Sequence, residues 1–84
     1  MTWAVTVMPT AEKQLARIPN PDKGRILAAI AALEEGIEGR DVRPLVGRTD
    51  YRLRVGKWHV LMDVDDENLA IYINRVGSRG DIYK

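Results

Sequence analysis

The sequence predicts an α+β fold of element order β-α-α-β-β-β, with two N-terminal helices packed on one face of an antiparallel sheet. Three observations predict it. From Tyr51 to Tyr72 (YRLRVGKWHVLMDVDDENLAIY) apolar and polar residues alternate with period two across two tight turns, as in a three-stranded meander. Upstream of it, apolar residues recur at helical spacing in two successive stretches. The chain also opens on a short run of β-formers, Trp3 to Val7.

That first strand is closed by Met8-Pro9, and Pro9 suits a helix start. Ala11, Leu15 and Ile18 form an apolar stripe that ends before Pro19. The run Asn20-Pro21-Asp22 reads as a helix cap: Asn20 at the N-cap, Pro21 at the first helical position, Asp22 near the positive end of the dipole. In the longer helix that follows, Ile26, Leu27, Ile30 and Leu33 form the stripe, alanines raise helix propensity, and Gly36 ends it. Residues 37 to 49 are expected to be irregular, punctuated by Gly39, Pro44 and Gly47, with Leu45 in the core.

Within the meander, Gly56-Lys57 is a two-residue turn that sets Val55 against Trp58, Arg54 against His59 and Arg52 against Leu61. A loop of Asp65, Asp66, Glu67 and Asn68 is expected to pair Val64 with Leu69, placing Asn74 opposite His59 and Tyr72 opposite Leu61. One face then holds Leu53, Val55, Trp58, Val60, Met62, Val64, Leu69, Ile71 and Ile73, and the helices bury it. The other face carries Arg52, Arg54, His59, Tyr72 and Asn74, while Arg75 is expected on the helix side with Trp58. Cations, an imidazole, an amide and a phenol on one open face suit a polar, anionic ligand.

Eighty-four residues form a single domain, 1–84. The lack of cysteine excludes a disulfide framework and a thiolate metal site and fits a reducing cytoplasm; one histidine cannot build a zinc site. No metal and no cofactor is expected. The opening residues lack a basic segment followed by a long apolar run, and no stretch is long enough to span a bilayer, so no membrane association is expected. The net charge of +1 conceals a segregation: Arg40, Arg43, Arg48, Arg52, Arg54 and Lys57 are opposed in their stretch by Asp41 and Asp50, and acid gathers at 63 to 67. A local basic surface is therefore compatible with a nearly neutral total.

The order of elements and the residues Leu45-x-Gly47, Tyr51-Arg-Leu-Arg-Val-Gly-Lys-Trp58-His-Val, Asp65-Asp, Arg75-Val-Gly-Ser-Arg79 and Asp81-Ile-Tyr83 resemble the RelE/ParE superfamily of toxins from bacterial and archaeal toxin–antitoxin operons. The resemblance spans nearly the whole chain and is strongest from 45 to 84. It implies a microbial-RNase-like fold and, in the RelE branch, metal-free, ribosome-dependent cleavage of mRNA that inhibits translation. It also implies a cognate antitoxin protein, and contact with operator DNA only through the antitoxin complex.

Cleavage of RNA by side chains needs a base for the 2′-OH, an acid for the leaving 5′-oxygen, and cations on the phosphate. The resemblance assigns Arg52 and Arg54 to positions that are usually basic and often lysine, Arg79 to a phosphate clamp, and Tyr83 to proton transfer or stacking. His59 stands where the pattern usually has arginine. Arginine is a poor general base. His59, of ordinary pKa about 6.5, can fill that role, its neutral form favoured by Arg54; equally, the replacement of arginine can attenuate the site. The catalytic candidates are thus Arg52, Arg54, His59, Arg79 and Tyr83, and the RNA-binding candidates Arg48, Lys57, Tyr72 and Asn74. Two other functions stay open: a ParE-like toxin that inhibits DNA gyrase, and a silent antitoxin-binding module. Val76 and Ile82 are expected as exposed apolar residues for the antitoxin.

Overall fold

The alternation from Tyr51 onward becomes the centre of a five-stranded sheet in a computed structural model, which describes residues 2–78. The elements are β1 (Ala4–Val7), α1 (Pro9–Ala16), α2 (Asp22–Ala32) continued by a 3₁₀ turn (Leu33–Glu35), β2 (Val42–Pro44), β3 (Tyr51–Val55), β4 (Trp58–Asp65) and β5 (Ala70–Ser78). The sheet order is β1-β5-β4-β3-β2. β1 runs parallel to β5 and every other pair is antiparallel, so the sheet is mixed where an antiparallel one was expected. A parallel pair needs a long crossover, and here both helices lie in it.

β2 corrects the expectation of an irregular 37 to 49 stretch, and makes the observed order β-α-α-β-β-β-β. It pairs Val42 with Leu53, Arg43 with Arg52 and Pro44 with Tyr51. A proline is tolerated there because β2 is an edge strand whose outer N–H groups have no ladder to complete. Leu45 is half-buried and lies outside the core cluster.

The helix stripes bury as their spacing predicts. Ala11, Leu15, Ile18, Ile26, Ile30 and Leu33 pack on Leu53, Val60, Met62, Ile71, Ile73 and Val76. Leu27 departs from its stripe and is 44% exposed. The cap is also different: α2 begins at Asp22, Pro21 already has helical φ and ψ, and Asn20 makes no side-chain cap bond. The Asp22 carboxylate instead accepts a hydrogen bond from the Trp58 indole at 2.9 Å, tying the tip of the β3–β4 hairpin to the start of α2. Gly36, at φ +95°, ends the 3₁₀ turn, and a Cβ there would come within 3.3 Å of Trp3 Nε1.

The first hairpin has the predicted register, Val55 with Trp58, Arg54 with His59 and Arg52 with Leu61. The second does not. Asp65 pairs with Ala70, Val64 with Ile71, Asp63 with Tyr72 and Met62 with Ile73; Leu61 then pairs with Arg75 and His59 with Gly77. Two causes combine. The turn occupies 66 to 69, with Leu69 at φ +49° and Asn68 bonded to the Asp65 carboxylate through its backbone N–H (3.2 Å) and its amide (2.8 Å). Beyond it, Asn74 is an extra residue in β5, a bulge that reverses the facing of everything after it. Val76 consequently enters the core at 2% exposure and Arg75 turns to the open face, both opposite to expectation. β1 stops short of this segment, and the Val76 N–H donates to Gln14 Oε1 of α1 at 2.7 Å.

Two outcomes follow for stability. Ile71→Ala, at a fully buried site, should cost about 2–5 kcal/mol in chemical denaturation, and Leu27→Ala about 0.5 or less. The Asn68 amide, then its backbone N–H, hold the Asp65 carboxyl below its ordinary value of 3.8. That loop stabilisation is therefore present above the ordinary value and lost as pH falls through the folded one. Asn68→Ala, which removes the amide and keeps the backbone N–H, should raise the Asp65 titration toward its ordinary value without fully restoring it, as followed by side-chain NMR.

Candidate nucleic-acid interface

Strand register sorts the open face into rows. One row runs Arg43, Arg52, Leu61, Arg75 across β2, β3, β4 and β5, a line of roughly 14 Å at ordinary strand spacing. These arginines form no ion pair and no side-chain hydrogen bond with other described residues, and the Arg52 Nε is buried without a partner. Leu61 between them is 1% exposed, an apolar floor under the row. Like charges placed directly opposite on a sheet, as Arg43 and Arg52 are, repel one another by several tenths of a kcal/mol, roughly 0.2–1.

The next row, toward the hairpin tip, is Arg54, His59 and Gly77. Arg54 keeps its side chain 48% exposed and stands 3.9 Å from Asp41, a weak pairing in water. His59 is 3% exposed, and with Arg54, Gly56 and Lys57 it lines a recess of about 250 Å³. Lys57 leans the other way, its Nζ 5.5 Å from the Trp58 ring centroid. It thus borders the recess without joining the arginine row.

In the opposite direction lies the row Asp63, Tyr72 and Thr6. Asn74 donates from its amide to Asp63 at 2.9 Å, and Tyr72 is 40% exposed. A groove of about 790 Å³ follows, bounded by Pro9, Arg48, Asp50, Leu61, Asp63 and Arg75 among others. Arg48 is bonded to Asp50 at 2.7 Å, so much of its charge is answered within the protein.

Of the predicted site residues, Arg52, Arg54 and His59 are brought together as expected. Asn74 is not beside His59 and Tyr72 is not beside Leu61, because the turn and the bulge moved the register. Arg79 and Tyr83 lie outside the described residues. Sequence reasoning missed Arg43 and Arg75. For Arg75 a signal existed: buried Ile71 and Ile73 are two apart, but the next apolar residue, Val76, is three further on, a break in the period. For Arg43 the three-residue strand was too short to read. No cluster of three or more metal-ligating side chains occurs among the described residues, and no helix among them is long and apolar enough to cross a membrane.

Comparison with known proteins agrees with this architecture. The family model of the ParE toxin of type II toxin–antitoxin systems matches residues 5–83. Toxin RelG of Mycobacterium tuberculosis is 32% identical over 92 aligned residues, covering 100% of this chain and 99% of that protein. In the archaeal RelE–RelB complex of Pyrococcus horikoshii, one chain superposes with TM-score 0.78 at 29% identity, covering 96% of this chain and 99% of its own. The RelBE2 toxin–antitoxin complex of M. tuberculosis matches with TM-score 0.70 at 28% identity, over 94% and 100% of the two chains. The chain belongs to the ParE toxin family, within the RelE/ParE superfamily of type II toxin–antitoxin toxins.

Proposed function

We propose that this toxin is a ribosome-dependent endonuclease of mRNA, restrained by a cognate antitoxin. The observation that carries the reading is the row Arg43, Arg52, Arg75, three guanidiniums held in register with no ion pair to a described residue. Their mutual repulsion costs stability, and a polyanion lying across the row relieves it. Single-stranded RNA supplies that charge, and Arg54 and Lys57 extend the cationic surface toward the hairpin tip.

In the chemistry this supports, a base takes the 2′-OH proton and the 2′-oxygen attacks the adjacent phosphorus. The P–O5′ bond then breaks as an acid protonates the leaving oxygen, giving a 2′,3′-cyclic phosphate and a 5′-hydroxyl. Arg52 and Arg75 stabilise the charge that grows on the non-bridging oxygens, since fixed guanidiniums need no reorganisation. His59 is the candidate base one row away, and the resemblance assigns Arg79 to the phosphate and Tyr83 to proton transfer. The solved RelE–RelB and RelBE2 complexes support an antitoxin partner for this chain, and the complex of the two would be the operator-binding species.

Expression of the wild-type chain without an antitoxin should arrest growth with cleaved ribosome-bound mRNA. The pair Arg52→Ala, Arg75→Ala should relieve that arrest; an undiminished arrest in a soluble, folded double variant would refute the reading. Inhibition of DNA supercoiling by the purified protein, with mRNA left intact, would select gyrase instead. Arg43→Gln should leave the melting temperature unchanged or raised, because it removes a like-charge pair. It should lower the slope of log affinity for single-stranded RNA against log salt by about 0.7, one phosphate contact.

A further inference from the structure

Asp63 stands on the same face as the arginine row, two residues farther along β4 and roughly 7 Å away. A carboxylate near bound phosphates weakens their binding, and no described Lys or Arg forms a salt bridge with it. Its geometry is nonetheless held. The Asn74 amide donates to one oxygen at 2.9 Å, and the other oxygen accepts no hydrogen bond from a described residue. The amide can do this because Asn74 is the bulged residue, with no cross-strand partner of its own. Directly opposite Asp63 is Tyr72, a residue 40% exposed. Asp63 and Asn74 both line the groove of about 790 Å³ that Arg75 also borders, a space sufficient for a nucleotide.

An exposed aromatic ring beside an oriented carboxylate is the chemistry that receives an unstacked base and reads its donor edge. We propose that Tyr72, Asp63 and Asn74 form a base-reading subsite that selects guanine in the nucleotide beside the arginine row; this rests on the RNA-binding reading above. Guanine presents two parallel donors, N1–H and the N2 amino group, which the Asp63 carboxylate accepts together while the Tyr72 ring stacks on the base. Adenine and cytosine offer one amino group beside a ring nitrogen that is itself an acceptor, and uracil one N–H between two carbonyls. Each of these sets an acceptor against a carboxylate oxygen. Asn74 is a positioning residue: it fixes the carboxylate and leaves its own carbonyl for a further donor.

The test is binding of the purified full chain, by fluorescence anisotropy, to short uridine oligomers that carry a single guanosine, inosine, adenosine or cytidine. Inosine keeps N1–H and lacks only the N2 amino group. The wild type should hold the guanosine oligomer about 5- to 100-fold more tightly than the inosine one. Asp63→Asn, equal in shape but with a donor replacing an acceptor oxygen, should bring that ratio near one. Equal wild-type affinity for guanosine and inosine, or a ratio that survives in Asp63→Asn, overturns the subsite and leaves RNA binding standing. Failure of the wild type to bind any oligomer at low salt removes the RNA reading itself, and the subsite with it. Since the wild-type comparison needs no variant, a folding defect in Asp63→Asn cannot rescue the proposal.

Discussion

One inserted residue sets the terms for the rest of the molecule. The two halves of the β4–β5 ladder are each regular, and Asn74 offsets one from the other. Were β5 continuous, the side chains beyond Ile73 would exchange faces. Val76, now 2% exposed, would meet water, and Arg75 would press a charge into the aliphatic layer between sheet and helices. Core packing and surface chemistry thus hang on the same local irregularity. The amide of Asn74 is used as well, since it satisfies the Asp63 carboxylate across the strand.

The open face is consequently not a uniform basic plate. It grades from the recess around Arg54 and His59, through the arginine row over Leu61, to the carboxylates and the phenol near Thr6. On the RNA-binding reading proposed above, such a gradient would orient a linear polyanion rather than merely attract it: phosphates would be drawn to one part and discouraged from another, which would limit the strand's direction and register on the protein.

How far the sequence foretold this depends on the range of the interactions involved. The Gly56-Lys57 hairpin was readable because its turn chemistry and the alternation on both sides lie within a dozen residues, and the register came out pair for pair. The apolar face and the helix stripes were readable for the same reason. Other features answer to partners distant in sequence. Pro44 sits in a strand because β2 is the sheet's edge. The Asn20 side chain leaves the cap of α2 unfilled, and Asp22 is engaged by Trp58, thirty-six residues away. β1 is parallel because its place beside β5 is decided by where the helices must lie. Arg52, Arg54 and His59 were legible as a group; Arg43 and Arg75 required a three-residue edge strand and a bulge, each below the reach of periodicity.

Gln14 bears on how the edges of such a sheet are covered. β4 and β5 are eight and nine residues long, whereas the outer strands β1 and β2 are four and three. The short borders give a neighbouring copy little to template on, and Pro44 blunts one of them. Where β5 outruns β1, the Val76 N–H is already occupied by a side chain from α1 rather than offered to another backbone. Helix α1 therefore covers, with one side chain, a backbone donor on the stretch of β5 that β1 leaves uncovered.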